Sequence, residues 1–208
     1  CQVLFGDRSK EVATILNNMA LVSQDRGQLD LALEFYRRAL SIYRLTSSES
    51  SPKEDIAITL SNVAFILRLK GQKETALENY QQALTVYQRI PDKEAETVGV
   101  LNIMASLCKE SKQFDNALKH LQFGLEISKR VFGENSKEIA TLLNSMGILY
   151  QEMHETSLAY SYYQNAIDIT RSLFGDSSCE VATILKNVAS VAKDCEDYRR
   201  SLTLYQRV

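Results

Sequence analysis

The chain has 208 residues, 45% of them hydrophobic and 24% charged, with a formal charge of -2 and a pI near 5.8. That composition is of an ordinary soluble protein rather than a disordered or fibrous one, and it lacks the surplus positive charge that general nucleic-acid or anionic-membrane binding needs. No apolar run approaches the roughly 20 residues that cross a bilayer, and no signal-peptide pattern is present.

One phrase recurs along the chain: "FGDRSKEVATILNNMALVS" begins at Phe5, "FGENSKEIATLLNSMGILY" at Phe132 and "FGDSSCEVATILKNVASVA" at Phe174. Aligned on the small residue near its end, five repeats are anchored at Ala20, Ala64, Ala105, Gly147 and Ala189, in steps of 44, 41, 42 and 42 residues. The first repeat (about 8–48) places Leu16, Met19, Ala20 and Ser23 on one stripe, and Ala32, Tyr36, Ala39 and Leu40 on a second. Spacings of three and four mark amphipathic helices, so each repeat is predicted to be two helices, with a reversal at Gly27 between them.

The second repeat (52–91) has Leu60, Val63, Ala64 and Leu67, a turn glycine at Gly71, then Ala76, Tyr80, Ala83 and Leu84. Its "SPKE" opening predicts Ser51 as N-cap, Pro52 at the first helical position and Glu54 three residues after the cap. In the third repeat (92–132) Lys112 takes the turn position, and Cys108 falls on an apolar helix face as a buried free thiol. The fourth (135–174) has Leu143, Met146, Gly147 and Tyr150, then His154 at the turn, then Ala159, Tyr163, Ala166 and Ile167. The fifth (177–208) has Glu196 at the turn and Tyr205 in the tyrosine position. Asn135 with Glu138, and Ser177 with Glu180, are read as the N-terminal signals of the fourth and fifth repeats. Cys179 and Cys195, 16 residues apart on one helix, would stand about 24 Å apart, too far to bridge. Four cysteines without a CxxC pair suit a reducing, cytoplasmic setting.

The order leucine, small residue, turn glycine, alanine, aromatic, alanine resembles the tetratricopeptide repeat. The 42-residue period, with "LFGDRSKEVATILNNMA" (Leu4 to Ala20) and "LFGDSSCEVATILKNVA" (Leu173 to Ala189), is similar to the kinesin light chain type of that repeat. The His-Pro usual in that type is missing, which points to a kinesin-light-chain-like array rather than a kinesin light chain. The resemblance implies an all-α fold over residues 1–208: a single right-handed superhelical solenoid of antiparallel helix hairpins, with first helices lining a concave groove. The chain opens on "CQVLFG", like the tail of a second helix, and stops within the fifth second helix, as expected of a fragment of a longer protein.

Nothing in the sequence points to catalysis, a metal or a cofactor. His120 and His154 lack companions at ligand spacing, and no phosphate-binding glycine loop or nucleophile elbow occurs. What remains is the surface of the first helices that the core does not use. The alignment puts Asn17, Asn102, Asn144 and Lys186 in one row and Asn18, Asn62 and Asn187 in the next. Leu21, Phe65 and Ile148 form a third row, and Gln24, Arg68, Lys109, Gln151 and Lys193 a fourth. A carboxamide both donates and accepts, so spaced asparagines can pair with the backbone of an extended peptide. They can equally bond neighbouring helices and fix the stacking. With ~10 Å between first helices, five would span about 40 Å and seat on the order of 12 extended residues. The resemblance implies the same use, since such asparagines contact ligand backbone in related repeats.

The function expected is therefore a non-catalytic protein-interaction scaffold. It would take a peptide or partner helix, with an acidic stretch favoured by Arg68, Lys109, Lys186 and Lys193, and bind neither nucleic acid nor the membrane interior. The alternatives are a rigid spacer or self-assembly element, or a sensor domain of a larger signalling protein. Leu21 and Ile103 spoil two places of the chaperone-tail carboxylate pattern, so that ligand is not expected. The repeated alanines of the second helices let the paired helices approach closely. Replacing Ala76 or Ala117 by leucine should overpack that contact and destabilise the protein by roughly 1–3 kcal/mol, measured by urea denaturation.

Overall fold

The computed structural model describes residues 9–46 and 53–194, without the side chains of 193 and 194. Among the described residues there are nine helices and no strand: α1 (Lys10–Asp25), α2 (Leu29–Thr46), α3 (Glu54–Leu69), α4 (Lys73–Tyr87), α5 (Glu94–Glu110), α6 (Phe114–Phe132), α7 (Lys137–Glu152), α8 (Thr156–Phe174) and α9 (Cys179–Asp194). The chain divides into two compact units, Cys1–Val100 and Leu101–Val208, with the boundary inside α5. In the first unit α1 packs on α2, α2 on α3 and α3 on α4; in the second, α6 packs on α7, α7 on α8, and α9 on both α8 and α7.

The tight turns share one hydrogen-bond pattern. After α1, Gln28 N–H donates to Ser23 O at 2.9 Å and Gly27 N–H to Gln24 O at 2.8 Å, closing a Schellman motif over the last carbonyls. Gln72 to Leu67, Gln113 to Cys108 and Glu155 to Tyr150 repeat the longer bond after α3, α5 and α7. The residue that reverses the chain sits in the left-handed region in all four: Gly27 and Gly71, but also Lys112 (φ 57°) and His154 (φ 62°). Loss of glycine therefore leaves the turn intact, because the bonds it closes satisfy otherwise orphaned carbonyls. Glu196 lies outside the described residues, as do Cys1, Cys195 and Tyr205.

The helix starts differ from expectation by one residue. The cap of α7 is Ser136, whose Oγ accepts from Ile139 N–H at 3.3 Å, not Asn135. For α9 it is Ser178, accepting from Val181 N–H, not Ser177. Ser9 caps α1 in the same way through Val12 N–H. The cap oxygen must reach the third N–H of the helix, and in all three sequences the serine directly before Lys-Glu or Cys-Glu does so. Ser51 and Pro52 lie outside the described residues; α3 begins at Glu54, with Lys53 in the cap position and no side-chain bond there.

The two stripes of each hairpin meet as the spacing predicts. Ala20, Ala64 and Ala189 of the first helices are fully buried, as are Ala32, Ala76, Ala117 and Ala159 of the second. Between them lie Tyr36, Tyr80 and Tyr163, among the largest wholly buried side chains. Cys108 is a buried free thiol. Met19 is the exception: expected in the core, it is 45% exposed, whereas its equivalents Val63, Met146 and Val188 are buried. Those three belong to α3, α7 and α9, each packed on the second helix that precedes it, and among the described residues no second helix precedes α1.

At the starts of the first helices, ion pairs tie neighbours edge to edge. In the first unit Lys10 meets Asp55 at 2.7 Å, and Lys93 meets Glu54 at 2.6 Å and Glu96 at 2.9 Å. These bonds hold the Lys93 ammonium well above its usual pKa and the Glu96 carboxyl below its own. Such exposed pairs set register more than they add stability.

The tightest small-residue contact is in the fourth repeat. A Cβ built on Gly147 would lie 2.6 Å from two carbons of the Tyr163 ring, inside any tolerable contact. Gly147→Ala should push the tyrosine out of its slot and destabilise the protein by about 1–3 kcal/mol, seen as a lower urea midpoint without a changed slope.

Candidate functional site

In each unit the structure shows what the residues of the predicted rows touch. In the first unit Asn18 and Leu21 are exposed on α1, and Asn17 is half-buried beside α3. Thr59 approaches Asn17 Oδ1 at 3.5 Å, yet its single hydroxyl proton is committed to Asp55 O at 2.7 Å. The Asn17 carboxamide is thus only weakly engaged. Asn62, Phe65 and Arg68 are half-buried on α3, with the Arg68 guanidinium 5.9 Å from the centre of the Phe65 ring. That geometry is a cation–π contact and holds the two side chains as one patch.

In the second unit the amides bond each other. Asn187 Nδ2 on α9 donates to Asn144 Oδ1 on α7 at 2.9 Å. The stacking role left open by the sequence is therefore realised for this pair, which still has most of its donors and acceptors beyond that one bond. Ile148 is half-buried and packs against the core shared by α7, α8 and α9. Lys109 pairs at 3.9 Å with Glu152 of α7, so its charge is partly neutralised. Asn102 is half-buried on α5 and Lys186 exposed on α9. Lys193 is on the last turn of α9, and its side chain lies outside the described ones.

A feature missed in the sequence links the buried tyrosines to this surface. Tyr36 donates to Gln24 Oε1 at 3.4 Å, and Tyr163 donates to Gln151 Oε1 at 3.1 Å. Gln151 Nε2 in turn donates to Ser190 Oγ on α9 at 3.1 Å. Each tyrosine rises through its hairpin, with only its hydroxyl arriving at the first-helix face. Burial pushes the Tyr36 hydroxyl up to about 12, with Asp25 adding to the rise. In the second hairpin Arg68 occupies the glutamine's place, and its charge moderates the rise that burial gives Tyr80. In the third, Leu121 stands where the tyrosine would be, and Lys109 turns instead to Glu152. The constant 12-residue interval, 24 to 36, 68 to 80 and 151 to 163, was the available signal.

Ile148, Gln151, Asn187 and Ser190 form one side of an open cavity of about 1030 Å³ in the second unit. Phe114, Met153 and Tyr163 supply its apolar surface, and Lys112, Glu152 and His154 its charged or titratable edge. Of the predicted rows, Ile148, Gln151 and Asn187 reach it. Among the described residues no three His, Cys, Asp or Glu side chains gather as metal ligands, and no helix is long and apolar enough to cross a membrane. The surface offers amides, an apolar wall and scattered charge.

Comparison with known proteins agrees with this architecture. A tetratricopeptide repeat profile matches residues 11–89, 96–172 and 138–208. No curated protein sequence gives a match. Among solved structures, BtubC (BKLC) from P. vanneervenii superposes with a TM-score of 0.79 at 22% identity, covering 95% of this chain and 78% of that one. A Podosopora anserina putative kinesin light chain with nearly identical TPR-like repeats gives 0.78 at 13% identity, covering 95% and 93%. RapI in its apo form gives 0.79 at 20% identity, and there the match spans 94% of this chain but 52% of RapI. At such identities the structural likeness speaks for the fold, and the profile for the family. The chain belongs to the tetratricopeptide repeat family, an all-α fold of repeated helix hairpins that generally serves non-catalytic protein interaction.

Proposed function

We propose that this chain is a non-catalytic interaction module whose first-helix faces receive an extended peptide or a partner helix. The observation that carries the reading is the open cavity of the second unit, lined by Ile148 and by Asn187, whose amide is bonded to Asn144. The pair fixes the orientation of both amides before any ligand arrives, which lowers the entropy lost on binding. Ile148, with Phe114 and Met153 nearby, supplies contact for an apolar side chain. The Phe65–Arg68 patch of the first unit is a second contact surface of the same kind. Exposed Lys186 favours an acidic residue in the ligand, while Glu152 restrains that preference. A Rap protein solved in complex with competence and sporulation factor, at 17% identity and a TM-score of 0.70, shows a protein of this fold in complex with such a factor.

A peptide-display selection against the intact chain tests the proposal. Each selected peptide should be weakened about tenfold either by Phe65→Ala in the first unit or by Asn187→Ala and Lys186→Glu in the second, while Arg38→Glu on α2 should weaken none. Unchanged affinity of every hit across the first three variants would overturn it. The stacking role of the amides is separable. A double-mutant cycle on Asn144→Ala and Asn187→Ala should give a coupling of about 0.5–1.5 kcal/mol in urea denaturation. A value near zero would show that the 2.9 Å bond contributes nothing to the seam.

A further inference from the structure

The three wedge tyrosines are equally buried, with Tyr36, Tyr80 and Tyr163 at 0%, 1% and 0% exposure, but their hydroxyls do not end alike. Tyr36 donates to Gln24 Oε1 and Tyr163 to Gln151 Oε1. In the second hairpin the equivalent place, twelve residues before the tyrosine, holds Arg68. A guanidinium has donors only, so it can serve the Tyr80 oxygen but cannot take its proton. Among the described residues no other group accepts that proton, and no carboxylate pairs with Arg68. Arg68 is the charge that acts on the Tyr80 hydroxyl, where at Tyr36 it is the negative Asp25.

A side chain 99% buried therefore brings an unclaimed O–H to a half-buried, unpaired cation. Buried polar groups in folded proteins have partners, and what two donors lack is an acceptor. The Phe65 ring holds the guanidinium, its centre 5.9 Å away. A guanidinium stacked on a ring keeps its N–H edge for a planar oxyanion. We infer that Arg68 and Tyr80 form a binding site for one carboxylate, the side chain of an acidic residue in the ligand, with the guanidinium and the phenol each donating to it. One positive charge balances one carboxylate and leaves a phosphate dianion half-neutralised. The inference rests on the reading that first-helix faces receive a peptide, and it makes the two units unlike. At the equivalent place in the second unit Gln151 is neutral and already bonded to Tyr163 and Ser190.

The probe is the amide of N-acetylglutamate, titrated into the 208-residue chain and followed by NMR at Tyr80 Cζ and Arg68 Nε. Saturable shifts at both atoms are expected, with the millimolar Kd of a single charged contact. The neutral glutamine analogue should cause none. Arg68→Gln gives the second hairpin the residue that the first and fourth already carry, so it should fold and should abolish the shift at Tyr80. Tyr80→Phe keeps the ring, and should weaken binding read at Arg68 about fivefold; Tyr36→Phe should leave it unchanged. Absence of saturable shifts, equal shifts from the glutamine analogue, or binding that survives Arg68→Gln would overturn the inference. So would tighter binding of inorganic phosphate than of the glutamate probe. The peptide reading can fail separately. Glutamate binding at Arg68 with no peptide selected by the chain would sink that reading alone, while peptides that need Phe65 but bind Arg68→Gln unchanged would sink the carboxylate site alone.

Discussion

A tyrosine ring laid against a small residue of the paired helix is the contact on which three of the described hairpins depend. Tyr163 against Gly147 is its tightest form, with no room for a methyl group; Tyr36 and Tyr80 are buried in hairpins whose small residue is alanine. A buried tyrosine removes on the order of 200 Å² from water, but its hydroxyl must still find a partner. The hairpins meet both demands by length. The ring spans the seam, and the oxygen emerges beside residue 24, 68 or 151 of the first helix. Packing energy and the polarity of the exposed face are thus coupled through one side chain.

The turns enforce the same geometry from the other end. Four Schellman closures set the two helices of a hairpin at a constant offset, whatever residue occupies the left-handed position. Constant offset is what makes the first-helix residues fall into rows, since side chains at equal distances from the turn share one face. Rows of amides are therefore a consequence of repeat geometry before they are a binding device. The Asn144–Asn187 bond shows one amide pair put to structural use between helices 43 residues apart in sequence. The remaining hydrogen-bonding capacity of those amides is what a guest backbone would use.

Most of this fold was legible in the residues because repetition averages out local ambiguity. The helix pairs, the turn at His154 and the burial of Tyr163 all follow from period and spacing. The cap positions were misread by one residue, because Asn135-Ser136 and Ser177-Ser178 each offer two adjacent cap formers and only backbone geometry chooses between them. Met19 was placed in the core by analogy with Met146, but burial at that register is supplied by a preceding second helix, which a single-helix pattern cannot reveal. The site was less legible still. Ile148, Asn187 and Gln151 of the rows lie on the cavity, whereas Phe114 and Met153 reach it from a helix start and a turn, whose directions depend on packing. Lys109 read as a free charge until Glu152 of the next first helix was seen beside it.

The account rests on the tyrosines being wedges within the hairpins rather than surface side chains, since loosening them would free both the packing and the polar rows. Carbon-13 NMR of ring-labelled tyrosine, followed through an alkaline titration, tests this most directly. The account predicts that Tyr36 stays protonated through the region near pH 10 where an ordinary tyrosine ionises, and titrates only at about 12 or with unfolding. Ionisation of Tyr36 near pH 10 in the folded protein would contradict it.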